Sequence, residues 1–449
     1  MNNKKSLLQR MTIPQTIVAI YLFLILVGSV ILTLPIATNS GEWTPFIDAV
    51  FTTTSAISIT GQTTVNTAEH WNLFGQIIVI IWIQIGGIGI MTLWALIFSS
   101  LRKSADMRSR RIVLSELGVG PSRSGFYDVI KFVISFTFIA EGIGALLLSF
   151  RWIPEFGVAK GIYYSIFHAI SAFCNAGFDL FGDSLMSRQD QPYILIIVMV
   201  LIMTGGLGFV TCNEILNYRK TKKVSPQTKL VLITTISLWV LGFIFIYISE
   251  MRNGTFSELN SFDQAINSLF MSVTSRTAGY ASVNYANISV TGRFITYILM
   301  FIGGSSGSTA GGIKVTTFAI VLLYLRSLYK NEQTHFAKRS ITNQTVKNAL
   351  FIFAIAIMLI MGSTFILLNT ETFETTGPVL EFVLMEVVSC FSNVGLTMGI
   401  TPSLTGIGKL VLIMLMFIGR VGLTTFLWSF RLKDRASDIK YPKTDVMIG

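Results

Sequence analysis

Of the 449 residues, 52% are apolar and only 13% charged, a balance too apolar for an ordinary water-soluble domain. The net charge of +11 does not signal nucleic-acid binding, because 24 of the 34 lysines and arginines fall in residues 1–12, 101–126, 218–229, 326–347 and 431–449, between long uncharged runs. The three cysteines, all within apolar stretches, exclude a disulfide framework.

In chain order, residues 13–37 carry no charge, and no small-residue cleavage site follows, so Pro14–Leu34 reads as a retained first span. A short amphipathic helix over 46–57 follows, then a glycine turn at 58–62 and a second apolar span over 73–101. The order recurs as 126–151, 161–173, 174–178 and 191–217, then as 228–250, 263–275, 276–280 and 291–330, and finally as 343–368, 378–391, 392–396 and 405–431. This divides the chain into repeats at 13–101, 126–217, 228–330 and 343–431, with a tail at 432–449. The short helices fall below the roughly 20 residues that cross a bilayer and are read as re-entrant. The predicted fold is an all-α polytopic membrane protein with eight transmembrane helices and four re-entrant pore loops around a central pore. The basic segments all fall on one face, which the positive-inside rule places in the cytoplasm with both termini. Glu42, Asp48, Glu69, Asp179 and Asp183 gather on the other face, where acids concentrate cations.

The turn glycines Gly61, Gly177, Gly279 and Gly395 lie 116, 102 and 116 residues apart. Non-helical backbone at membrane depth is tolerated only where protein buries it or it lines a wet cavity. Four such turns therefore imply a shared lumen. Backbone carbonyls can replace the lost water of an alkali cation, glycine permits the angles that aim them, and inward-pointing helix C-termini add negative dipole. The candidate ion-binding residues are Ile59, Thr60 and Gly61, Asn175, Ala176 and Gly177, Thr277, Ala278 and Gly279, and Asn393, Val394 and Gly395. One such glycine alone would indicate packing or a turn; four at matched positions point to ion coordination.

The second span of the third repeat contains Gly303, Gly304, Ser305, Ser306, Gly307, Ser308, Thr309, Ala310, Gly311 and Gly312, followed by Lys314. Each interior glycine costs about 1 kcal/mol of helix stability, so the span is expected to break into half-helices at 291–302 and 315–330. The loop between them is read as a gate; close helix packing through small residues is the plainer alternative. Gly307–Lys314 resembles a phosphate-binding loop, but Val315 stands where Ser or Thr is required. Ser306 resembles a protease nucleophile, but no histidine lies on a facing span. Without clustered His, Asp or Cys groups, the chain does not read as an enzyme. Arg420 lies mid-span, where insertion costs about 2.5–3.5 kcal/mol, so it is either functional or paired, with Glu141 as the candidate partner. Lys314 is able to snorkel to the cytoplasmic interface, and its role stays open.

Arg276-Thr-Ala-Gly-Tyr280, Asn175-Ala-Gly-Phe178, Asn393-Val-Gly-Leu396, the string from Gly303 to Lys314 and Phe417-Ile-Gly-Arg420 together resemble the Trk, Ktr and HKT potassium-uptake superfamily, over residues 13–431. The closest likeness is to the membrane subunit of a bacterial Ktr system. That resemblance implies a four-glycine potassium filter, an intramembrane gating loop, and Arg420 projecting into the pore beneath the filter. It also implies a plasma-membrane homodimer docked on a cytoplasmic RCK ring that binds ATP or ADP. The chain itself would hold no cofactor. Potassium is its transported ion, and a requirement for sodium stays open. Gly61 is intact where sodium-preferring relatives carry serine. The filter strands differ in side chains (Ile59, Ala176, Ala278, Val394), so the symmetry is approximate. Docking and topology both account for Arg108, Arg110, Arg111, Lys220, Lys222 and Lys223. The alternative is an ion-coupled secondary transporter, a class that usually shows inverted repeats and two broken helices. Four parallel repeats and one broken helix favour a gated pathway driven by the membrane potential.

Overall fold

The computed structural model describes residues 11–89, 126–372 and 377–430. Residues 90–101 of the first repeat, the loop with Arg108, Arg110 and Arg111, and the tail at 432–449 lie outside the described residues. The fold is helical apart from one hairpin, β1 (His335–Phe336) against β2 (Arg339–Ser340).

The helices are α1 (Ile13–Thr33), α2 (Phe46–Ser58), α3 (Leu73–Ile88), α4 (Phe126–Phe156), α5 (Val158–Phe173), α6 (Pro192–Gly206), α7 (Phe209–Leu216), α8 (Pro226–Asn253), α9 (Ser261–Thr274), α10 (Val290–Phe301), α11 (Val315–Lys330), α12 (Asn343–Thr370), α13 (Val379–Ser392), α14 (Gly406–Val421) and α15 (Leu423–Ser429). Their starts are written in the sequence. Thr12 and Gln15 form a reciprocal capping box on α1. Asn72, Ser225, Asn260, Ser289, Thr342 and Thr405 cap α3, α8, α9, α10, α12 and α14 with side-chain oxygens that accept from the first turn. Along α1, α4, α8 and α12, residues such as Phe23, Phe138, Phe245 and Phe365 stand outward and exposed. That pattern suits a lipid solvent rather than water.

The sequence predicts a single broken span, in the third repeat, and the structure corrects this. Among the described residues, α1, α4, α8 and α12 are each long and apolar enough to cross a membrane. The pairs α6–α7 and α14–α15 qualify only as bent spans, at 101° and 102°, while α3 and α10 are shorter apolar helices. The interruptions are therefore not confined to the third repeat. α3 stops at Gly89 (φ 89°), α6 and α7 join at Gly208 (φ 88°), α14 and α15 join at Gly422 (φ 88°), and the loop between α10 and α11 turns at Gly307 (φ 67°). These are left-handed conformations that a side chain resists.

The cause lies three residues upstream of Gly89, Gly208 and Gly422. A β-carbon on Gly86, Gly205 or Gly419 would fall well under 3.0 Å from the carbonyl oxygen of Ile57, Phe173 or Phe391. Each long helix thus presses its backbone against the end of a short helix and bends just beyond the contact. Outer side chains link the second repeat to the first, the first to the fourth and the fourth to the third. Tyr163 of α5 donates to Gln76 of α3 at 2.9 Å, Arg293 of α10 pairs with Glu381 of α13 at 2.8 Å, and Lys409 of α14 pairs with Asp48 of α2 at 2.7 Å.

Gly205→Ala is expected to destabilise the purified protein by about 1–3 kcal/mol through overpacking, lowering its thermal midpoint in detergent. Gly142→Ala, with nothing within 4 Å of the added carbon, is expected to leave the midpoint unchanged or raise it. Equal midpoints for the two variants would contradict the backbone contact.

Candidate functional site

Each short helix runs into a residue held at positive φ: Ile59 (57°), Asn175 (59°), Thr277 (74°) and Asn393 (53°). Two residues on, Gly61 (84°), Gly177 (68°), Gly279 (77°) and Gly395 (92°) are positive again, while Thr60, Ala176, Ala278 and Val394 between them are not. This alternation turns successive carbonyls toward one side of the strand. Ile59 and Thr277 are β-branched, for which positive φ is a genuine outlier. Strain of this kind costs of order 1–3 kcal/mol and concentrates at functional sites.

The four turns form a closed ring. A β-carbon on Gly61 would collide with the carbonyl oxygen of Ala176, one on Gly177 with that of Ala278, one on Gly279 with that of Val394, and one on Gly395 with that of Thr60, each under 3.0 Å. The contacts run from first turn to second, third and fourth, and back to the first. Side chains pin the turns from behind. Ser171 donates to Phe178 O at 2.8 Å, Thr274 to Tyr280 O at 2.7 Å, and Ser389 accepts from Gly395 N at 2.9 Å. Asn393 Nδ2 reaches Thr60 Oγ1 at 3.0 Å and Met416 O at 2.9 Å. Beyond the glycines opens a cavity of about 220 Å³, lined by Gly61, Asn66, Gly177, Asp179, Thr397 and Thr401 among others.

On the other side, residues 302–314 form a loop closed at its base by Gly303 N to Ile313 O (2.8 Å) and Val315 N to Gly304 O (3.0 Å). Ser305 N to Gly206 O (3.2 Å) and Phe209 N to Gly307 O (3.1 Å) tie it to the α6–α7 bend. Gly311 lies against the Asn393 side chain and Gly312 against Ser392, so the loop runs beneath the fourth turn. Arg420 donates from Nη1 to Thr309 O at 2.6 Å and from Nη2 to Gly86 O. Arg276, fully buried, donates to Gly303 O at 2.9 Å and Thr235 O at 3.3 Å, with its guanidinium 5.7 Å from the Trp239 ring. Neither arginine forms an ion pair among the described residues.

Several expectations need correcting. Arg420 does not meet Glu141, whose carboxylate takes Gln84 Nε2 at 3.0 and 3.1 Å and the Cys174 thiol at 3.7 Å. Lys314 does not snorkel outward. Its ammonium bonds Ala310 O, a carbonyl that the helix break leaves without a helical partner. Ser306, already discounted as a nucleophile, bonds Thr316 at 3.1 Å. The motif Arg276-Thr-Ala-Gly-Tyr280 by itself leaves the role of Arg276 open. The signal was present, since the other three turns carry Ser58, Cys174 and Ser392 at that place.

A family model described as TrkH, cation transport protein, matches residues 2–439. The potassium/sodium uptake protein NtpJ of Enterococcus hirae is 45% identical over 99% of both chains. The Ktr system potassium uptake protein B of Bacillus subtilis is 38% identical, over 98% of this chain and 97% of its own. The solved potassium transporter TrkH of Vibrio parahaemolyticus superposes with a TM-score of 0.72 over 96% of this chain and 87% of its own, at 20% identity, a likeness of fold alone. With a family model covering nearly its whole length, the chain belongs to the TrkH family of cation transport proteins: it is a multi-pass membrane transporter and not an enzyme.

Proposed function

We propose that this chain is the membrane subunit of a bacterial potassium-uptake system, built as four span–short helix–span repeats around one pore. The observation that carries the reading is the cyclic contact of each turn glycine with the carbonyl of the next turn. A ring of that kind presents four sets of peptide oxygens to one axis, which is what a dehydrated alkali cation needs. The relatives are named for uptake of potassium, or of potassium and sodium. In this reading the cation is cargo, as the names of those relatives suggest. Its inward movement draws about 2.3 kcal/mol per 100 mV from the membrane potential.

The loop at 302–314 is the gate in this reading. Arg276 holds its start through Gly303 and Arg420 holds its middle through Thr309. Arg420 also places a positive charge directly under the ring, where it opposes a descending cation. Opening requires these charge-assisted bonds to break, so a partner that pulls on the adjoining helices could control flux. Relatives named as components of a Ktr system support a cytoplasmic nucleotide-binding ring as that partner, acting on a homodimer of this chain. The exposed Lys220, Lys222 and Lys223 offer it a basic docking surface. Bends in the other long helices remove the single-break argument against a coupled symporter. The four parallel repeats and their cyclic ring still favour a channel-like path, and potassium flux without accompanying sodium or proton movement would separate the two readings.

Gly61→Ser is expected to lower potassium uptake at limiting potassium by at least about tenfold, the equivalent of 1.4 kcal/mol. Complementation of a potassium-uptake-deficient bacterium checks this, and wild-type growth would remove the ring from the permeation path. Arg276→Ala and Arg420→Ala each delete charge-assisted bonds worth about 1.5–3 kcal/mol. Each is expected to raise rubidium leak several-fold in cells lacking the regulatory partner. Leak equal to wild type in both variants would show that the loop is no gate.

A further inference from the structure

Glu386 and His168 occupy the same position on two short helices, nine residues before Gly395 and Gly177 respectively, and both are 0% exposed. The Glu386 carboxylate accepts from Thr397 Oγ1 at 2.5 Å, Thr401 Oγ1 at 2.8 Å and Met398 N at 3.3 Å. His168 places Nδ1 2.8 Å from Tyr164 O. With its proton donated there, Nε2 is left to accept from Leu180 N at 3.3 Å. Met398 and Leu180 each stand three residues past their turn glycine. In the fourth and second turns, therefore, one side chain from behind grips the same backbone amide.

The first and third turns are built differently. The matching positions hold Thr52, whose hydroxyl makes no hydrogen bond, and Phe270, which has no polar atom to offer. There the residue after the glycine reaches across instead. Gln62 donates from Nε2 to Thr401 Oγ1 at 2.9 Å and accepts from the Cys390 thiol at 3.0 Å, joining the first turn to the fourth. Tyr280 donates from its hydroxyl to Phe178 O at 2.9 Å, joining the third turn to the second. The outer rim is thus two clamped pairs rather than four equal arms, with Glu386 linked through Thr401 to Gln62.

We propose that Glu386 and His168 are positioning residues of the ion filter, holding the outer ends of the fourth and second turns, and that the Glu386–Thr401–Gln62 chain sets how well potassium is told from sodium. This rests on the reading of the ring as the filter. A buried carboxylate fed by three donors is held far more firmly than a neutral acceptor. Removing it leaves the Met398 amide and two hydroxyls without their partner, so the carbonyls between Val394 and Met398 lose their fixed direction. A size-dependent preference among cations needs that direction.

The test is competition of potassium and of sodium against rubidium uptake, in a potassium-uptake-deficient bacterium that makes the full chain with its regulatory partner. Glu386→Ala is expected to lower the potassium-over-sodium preference about tenfold. Glu386→Gln, which keeps an acceptor for Met398 N, is expected to stay within about threefold of wild type. His168→Phe, which retains a ring against Phe181 (now 4.5 Å away) but no acceptor, is expected to shift the preference in the same direction. Glu250→Ala is the control. That carboxylate is equally buried but caps Ser289 on α10, so its loss is expected to lower the amount of protein and not its preference. An unchanged preference in Glu386→Ala beside a shifted one in Gly61→Ser overturns the clamp and leaves the filter standing. So does an equal shift in Glu250→Ala. If Gly61→Ser also changes nothing, the filter reading itself fails. If Glu386→Ala does not reach the membrane, Gln62→Ala breaks the same chain at its other end, and an unchanged preference there overturns the proposal as well.

Discussion

The structure depends on one constraint: at four places a peptide oxygen lies where a neighbouring β-carbon would have to be. Gly61, Gly177, Gly279 and Gly395 each accept the carbonyl of the next turn at a distance that only hydrogen allows. The contact is mutual around the cycle, so no turn can move outward without opening its neighbour. A ring that tight cannot be assembled by side-chain packing, because each added carbon would widen it. Backbone-to-backbone contact brings the four strands together more closely than side chains would allow, which is what the proposed coordination of a small ion by peptide oxygens requires. The cost is visible in the backbone: Ile59 and Thr277 are held in a conformation β-branched residues avoid, and buried hydroxyls and amides behind them keep it from relaxing.

The same economy governs the surroundings. The long helices reach the short ones through Gly86, Gly205 and Gly419, again backbone against a carbonyl. A helix in lipid gains little from burying apolar surface against another helix, so close approach and hydrogen bonding supply the packing. Having made that contact, α6 and α14 each bend by about a right angle at a second glycine, and α3 ends at Gly89. Residues 302–314 are the exception. There the third repeat runs beneath the fourth turn, and its freed peptide groups bond Gly206, Phe209, Arg276 and Arg420.

Much of this was legible in the sequence. The spacing of four glycines marked the turns, the uncharged apolar runs marked the long helices, and the density of glycine between Gly303 and Gly312 marked the loop between α10 and α11. The bends at Gly208 and Gly422 were missed because two glycines in an apolar run are ordinary in membrane helices. Their meaning appears only when Gly86-Gly87-Ile-Gly89, Gly205-Gly206-Leu-Gly208 and Gly419-Arg420-Val-Gly422 are set beside each other. Glu141 was offered as a partner for Arg420 on charge alone. The fold gives each a different neighbour, an amide for the acid and carbonyls for the base. The grip of Glu386 on Met398 joins residues 12 apart through a helix and a turn of left-handed backbone, a geometry no periodicity announces.

That alignment also gives Arg420 its logic. It stands where the first, second and third repeats have Gly87, Gly206 and Gly304. In two of those repeats a β-carbon would strike a neighbour under 3.0 Å away, Cys174 at Gly87 and Ala310 at Gly304. Only the fourth slot carries a side chain, and that side chain extends to Gly86 of the first repeat and Thr309 of the third. A single guanidinium therefore binds three of the four repeats together below the ring. Four would repel one another without adding a contact, and none would leave Thr309 with no tie to the first and fourth repeats. One charge at one of four matched positions thus ties the loop to the first and fourth repeats, the contact on which the proposed gate rests.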